Sequence, residues 1–300
     1  MKKHYIFVSM LFLLVSSCNS DPVEPDYGDW PSSSNTGLTD PDNLTIVNND
    51  TTIGTSGAIV ENLDVRGTLT IQADNVTVRN CRVWLGAYYG IVIESGYKGI
   101  LIEDCEIGRD YVNSSKGILI RSADSTEVTI QRCYIHHVGD GIFGGSNGGE
   151  PMPKCKIAVQ DCYITDIRET DGDDNAETID DHKGDGMEFL GQIREALILH
   201  NNIQVPTDQT SCLLFECNWG NLQDVTIENN LLNGAGYTVY TRIREGRTFE
   251  GLAIIDNHFG RDYNFGIHSN DVDTAEITAY GNMWDDTGEP VEGFLGVPND

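Results

Sequence analysis

The feature that most constrains this chain is a six-residue segment that returns along most of its length. It reads Val76-Thr77-Val78-Arg79-Asn80-Cys81, then Ile100-Leu101-Ile102-Glu103-Asp104-Cys105, with further copies ending at Cys133 and Cys162. Later copies cover 197–202, 225–230, 252–257 and 277–282, so the sixth position recurs at intervals of 24, 28, 29, 40, 28, 27 and 25 residues. Apolar residues at the first and third positions alternate with polar ones, the pattern of a half-buried strand. The fifth position carries Asn80, Asp104, Asp161, Asn201, Asn229 or Asp256. These side chains tolerate left-handed backbone angles, so the chain can bend there. An apolar residue two places past the sixth position restores an inward face for a second strand. A third strand opens at Gly90-Ile91, Gly117-Ile118, Gly141-Ile142, Gly186-Met187, Cys212-Leu213, Thr238-Val239 and Gly266-Ile267. Such a unit cannot bury its apolar face alone, whereas a stack of them can, so the repeat predicts a solenoid.

Several short strands per coil at this spacing resemble the right-handed parallel β-helix of the pectate-lyase-like superfamily, over roughly residues 50–285. The resemblance implies an all-β, single-stranded right-handed parallel β-helix of about eight to ten coils. It leaves function open, because that fold hosts lyases, hydrolases, epimerases and non-enzymatic adhesins. Equal positions of successive coils should stack about 4.8 Å apart. The sixth column would then be Cys81, Cys105, Cys133 and Cys162 followed by Asn202, Asn230, Asn257 and Asn282. The asparagines are expected to form an amide ladder, with a register around 195–205 that can slip by one. The cysteines are expected to be free buried thiols, since in-register stacking gives poor disulfide torsions.

Lys2, Lys3 and the apolar run Tyr5–Val15 read as an export signal, too short to cross a bilayer as a mature helix. Val15-Ser16-Ser17-Cys18 resembles the lipobox of bacterial lipoproteins, which implies lipidation of Cys18. An ordinary secretory signal is the alternative. The expected organisation is a signal peptide over 1–17, a polar flexible tether over 18–43 and the solenoid over 44–300. The lipobox implies anchoring to the bacterial outer membrane or cell surface through the lipid alone, and a monomer is expected. With 19 Lys and Arg against 47 Asp and Glu, the net charge of −28 argues against nucleic acid and anionic membranes as partners. An acidic polymer would need a mediating cation.

The repeat is interrupted most heavily before Asp181-His182-Lys183-Gly184-Asp185-Gly186-Met187-Glu188. The insertion carries Asp171, Asp173 and Asp174, which can share one Ca²⁺ or belong to a solvated acidic loop. In the third strand the residue after each inward apolar position must point out. That column reads Val92, Leu119, Phe143, Glu188, Leu214, Tyr240 and His268. Two places on stand Glu94, Arg121, Gly145, Leu190, Glu216 and Arg242, and the position before each glycine reads Tyr89, Lys116, Asp140, Asp185, Ser211 and Tyr237. Asp140, Glu216, Tyr240 and His268 are therefore candidates to bind a polysaccharide, because aromatic rings stack on sugar faces and charged groups fix hydroxyls. His182, Lys183, Asp185, Glu188 and Arg242 are candidates for its chemistry. Three outcomes fit. One is Ca²⁺-assisted β-elimination on a uronic-acid polymer, favoured by the resemblance, with Lys183, Arg242 or His182 as base. The second is glycoside hydrolysis by paired carboxylates. The third is non-catalytic glycan binding. Arg242-Ile243-Arg244 is similar to the basic motif of β-helical polygalacturonases, but that family's Gly-His-Gly is missing and membership is not expected.

Overall fold

The computed structural model describes residues 28–86, 88–109, 115–122, 125–145, 154–168, 184–244, 246–270 and 277–291. Among these the chain winds through three parallel sheets of ten, nine and nine strands. Sheet A runs from Thr45–Val47 to Met283–Trp284, sheet B from Thr51–Ile53 to Gly266–Asn270, and sheet C from Ile59–Glu61 to Ile277–Tyr280. Each coil visits A, B and C in turn, and each strand pairs with the same strand of the next coil. No described helix is long and apolar enough to cross a membrane.

Alternating residues build the interior. Ile107, Ile135, Ile164 and Ile203 stack inside sheet A, Ile118, Ile142, Met187 and Leu213 inside sheet B, and Ile102, Ile130, Ile198 and Ile227 inside sheet C, all fully buried. The fifth repeat position bends at Asn80, Asp104, Arg132, Asp161, Asn229 and Asp256, with φ between 45° and 55°, and in the 197–202 copy the bend falls one residue early, at His200 (φ 50°). Arg132 is not a residue that favours this region. Arg132 is held there by Asp104 (2.7 Å) and His200 by Asp161 (2.7 Å) in the preceding coil. The turn from sheet A into sheet B has a different requirement. A Cβ on Gly117 would lie 2.6 Å from the Gly141 carbonyl oxygen and 3.0 Å from Ile135 Cγ2. Bare backbone is what lets the start of sheet B close over the isoleucines of sheet A.

Three details differ from the sequence reading. The amide ladder runs Asn201–Asn230–Asn257–Asn282, each Nδ2 donating to the next Oδ1 at 2.9–3.1 Å. Asn202 is instead on the outer face of sheet A, donating to the Pro31 carbonyl (2.8 Å). The strand register sets this: Gln160 pairs with Leu199 and Tyr163 with Asn202, so Cys162 is level with Asn201. The second difference is at the last strand of sheet B, where Val239 pairs with His268 and Tyr240 with Ser269. The loop Gly260–Phe265 delivers the chain one residue later than the Gly-Ile spacing implies. His268 therefore falls in the inward column and meets Thr241 Oγ1 at 3.3 Å, so it is not an outward sugar ligand. All seven described cysteines are free and buried, as the stacking argument requires.

The third difference is at the N-terminus, where residues 28–43, part of the stretch read as tether, lie along the corner between sheets C and A. Trp30 stacks on His200 (5.2 Å) and meets His258 edge-on (5.1 Å). Gly37 donates to the Arg132 carbonyl (2.8 Å), and the Thr39 and Asp40 amides donate to Asn80 Oδ1 (2.8 and 2.9 Å). The strap thus ties late coils to early ones before the first strand begins.

Candidate functional site

The outer face of sheet B is not uniformly polar. Val92, Leu119, Phe143 and Leu214 point outward yet are buried, and with Leu190 they form a second apolar cluster separate from the interior. The turn after Glu216 folds back over them. Trp219 donates its amide to the Leu190 carbonyl (2.7 Å), and its ring lies 5.9 Å from that of Phe143. Gly145 makes room for it, since a Cβ there would stand 2.6 Å from the Trp219 ring.

Charged groups gather beside this apolar floor. Lys116, Asp140, Asp185 and Ser211 occupy one position in four successive coils, as the shared place before the strand's second residue predicts. Lys116 Nζ is ion-paired with Asp140 Oδ2 and sits 4.4 Å over the Phe143 ring. Asp140 Oδ1 accepts the Asp185 amide (2.9 Å), and Asp185 Oδ1 accepts the Ser211 hydroxyl. Glu188, three residues along the same strand, brings its carboxylate to the pair. Oxygens of Asp140, Asp185 and Glu188 all lie within 4.8 Å of one another. Asp140 and Asp185 are buried and Glu188 is half-buried. Burial pushes the Asp185 carboxyl well above the usual aspartate range, and the Glu188 and Asp140 charges push it further; the Ser211 hydroxyl and Lys116 act the other way without reversing it.

A profile described as the right handed beta helix region matches residues 66–288. The chain belongs to the right-handed β-helix family. No curated protein matches its sequence.

Along this β-helix the column of Lys116, Asp140, Asp185 and Ser211 is bracketed by aromatic residues. Tyr89 pairs with Lys116 at one end and Tyr237 with Ser211 at the other. Tyr237 is stacked on Tyr240 (5.7 Å) and lies 5.5 Å from Phe265, which is 69% exposed. At about 4.8 Å per coil, Tyr89 and Tyr237 stand roughly 24 Å apart, with the acids between them. Tyr240 lies half-buried on this outer face, beside Tyr237.

The other candidates separate from this centre. Arg242 pairs in register with Glu216, five residues beyond the row of Asp185, which is about 16 Å along the strand. Glu216 is buried and ion-paired with Arg244, so its carboxylate serves a loop contact. His182, Lys183, Asp171, Asp173, Asp174 and Cys18 lie outside the described residues. Lys116 and Ser211 complete the centre, although the sequence reading gave them no role. Their signal was their place in the Asp140 and Asp185 column.

The cluster can hold either a proton or a cation. Its donor set is all oxygen, which suits a hard ion. However, both Asp140 oxygens are already engaged, by Lys116 and by the Asp185 amide, and one Asp185 oxygen is engaged by Ser211. The Lys116 ammonium already supplies the local positive charge, so the residues fit a shared proton better than a divalent ion.

Proposed function

We propose that the sheet B groove cleaves glycosidic bonds of an extracellular polysaccharide by acid–base catalysis. The observation that carries this reading is the convergence of Asp140, Asp185 and Glu188 within 4.8 Å. Three carboxylates so close cannot all be ionised in a buried site, and burial selects Asp185 to keep its proton. Asp185 is then the general acid that protonates the leaving oxygen. Glu188, the more exposed of the three, attacks the anomeric carbon as the leaving oxygen departs, and water then hydrolyses the glycosyl-enzyme with Asp185 acting as base. Lys116 and Asp140 form the neutral pair that positions Asp185 through its backbone amide. The aromatic residues at both ends supply platforms for sugar rings along the axis. Export and lipidation at Cys18 would place this groove outside the cell.

A second reading, cation-assisted β-elimination on a uronic-acid polymer, draws on the superfamily resemblance and on the all-oxygen donor set. It needs a base, and Arg242 stands far from the acids. The deciding experiment is a polysaccharide screen that follows both new reducing ends and the ultraviolet absorbance of unsaturated products, with and without chelator. Hydrolysis predicts reducing ends without unsaturation, insensitive to chelator, and at least about a 100-fold loss in Asp185→Asn and Glu188→Gln. Unsaturated product that disappears with chelator would replace this reading with elimination. Retention of a glycan with neither product would make the groove a binding surface.

A further inference from the structure

The outer face of sheet A carries a second cluster, on the early coils, that the sheet B groove does not use. Asp64, Arg82 and Glu106 occupy one outward column in three successive coils. Arg66 and Trp84 stand two residues further along the first two of these strands. Together they line a cleft of about 390 Å³. Next to Trp84 in the following coil is Gly108, where a Cβ would lie 3.0 Å from His136 Cε1. His136 fills the space that glycine leaves. It stacks on Tyr134 (4.2 Å) and meets Trp84 edge-on (6.3 Å), so the indole has a fixed wall behind it.

The polar groups of the cleft alternate in sign. Arg66 Nη2 donates to Asp64 Oδ2 (3.2 Å), and Arg82 Nε donates to Glu106 Oε2 (2.9 Å). Asp64 is only 7% exposed, yet its Oδ1 has no hydrogen-bond partner among the described residues. Arg66 therefore holds this carboxylate through Oδ2, the oxygen on its side of the cleft. Two arginines balance two carboxylates, so the cleft favours neither a phosphate nor a metal ion. Alternating donors and acceptors beside an aromatic ring suit a group that both donates and accepts, which is what adjacent sugar hydroxyls do.

We propose that this cleft is a non-catalytic binding site for a neutral saccharide. Sugar hydroxyls donate to the Asp64 and Glu106 carboxylates, the Arg66 and Arg82 guanidinium groups donate to hydroxyl oxygens, and the apolar face of the ring packs on Trp84. The inference does not need the hydrolase reading, because the cleft lies on a different sheet from the acids and binds without reacting.

The test is a glycan array of neutral and uronate-containing oligosaccharides, probed with the full chain and with Trp84→Ala, Arg66→Ala and Asp185→Asn. Trp84 is half-buried and Arg66 exposed, and circular dichroism of each variant checks that the fold is kept. Trp84→Ala and Arg66→Ala should each weaken binding to a neutral oligosaccharide at least 10-fold, and Asp185→Asn should keep it. The proposal is overturned if no neutral glycan binds, if both cleft variants bind like the parent protein, or if only Asp185→Asn loses binding. Loss of cleavage in Asp185→Asn with intact array binding separates this site from the groove on sheet B.

Discussion

Asp185 shows how one position carries both structure and chemistry. Its amide serves Asp140, its carboxyl takes the Ser211 hydroxyl, and its side chain is buried beside two other acids. Because its folded-state affinity for a proton is raised above the ordinary value of 3.8, the folded protein binds more protons here than the unfolded chain. Its contribution to stability is therefore fully present only below about pH 4 and falls as pH rises from there toward its raised folded value. Asp185→Asn removes the titration. The variant should be catalytically impaired yet increasingly more stable than the parent as pH rises from 4 to 8, measured by urea unfolding. A stability difference that does not vary with pH would contradict the raised affinity. The Asp-Gly pairs at 140 and 185 were visible in the sequence because they fall at the same place in the repeat. The ion pair of Lys116 with Asp140 was not, because only the distance across coils makes lysine a partner of that acid.

At the scale of one element, the amide ladder shows what a repeat pattern leaves open. Asn230 is fully buried and bonded on both sides: Asn201 donates to it and it donates to Asn257. Asn230→Ala leaves the buried Asn201 backbone amide without its acceptor and removes the Nδ2 donor to the Ile198 and Glu228 carbonyls, at about 1–3 kcal/mol for each group so stranded. Asn202→Ala removes only a contact at the edge of the strap and should cost less than about 1 kcal/mol. Comparing their urea midpoints checks the register directly, since a ladder through Asn202 would make the two losses similar. The sequence could not choose between adjacent asparagines, Asn201 and Asn202. The pairing of Gln160 with Leu199 and of Tyr163 with Asn202 chose, by setting Asn201 level with Cys162. The same logic moved His268 inward: a loop one residue longer flips every side chain of a strand to the other face.

At the scale of the whole molecule, coils touch mainly their neighbours, so a solenoid gains from any segment that reaches across several of them. The strap from Trp30 to Asp40 does so, from His200 and His258 back to Asn80. Trp30→Ala should lower the thermal midpoint by about 2–4 °C. It should also speed amide exchange in the strands around Asn202 and His258 while leaving the middle coils unchanged. Unaltered exchange in those strands would show that the strap carries no stability. Composition alone made residues 28–43 a polar tether, because one tryptophan in a Ser- and Pro-rich stretch forms no periodic pattern. Its docking depends on a groove that exists only once the coils have stacked. The same division holds for the whole chain. Period, alternation and bend residues determined a parallel solenoid, since each is a local property repeated at a fixed spacing. Which acids meet, which histidine turns inward and where a strap lies were decided by loop lengths and strand register, whose effects appear only across coils.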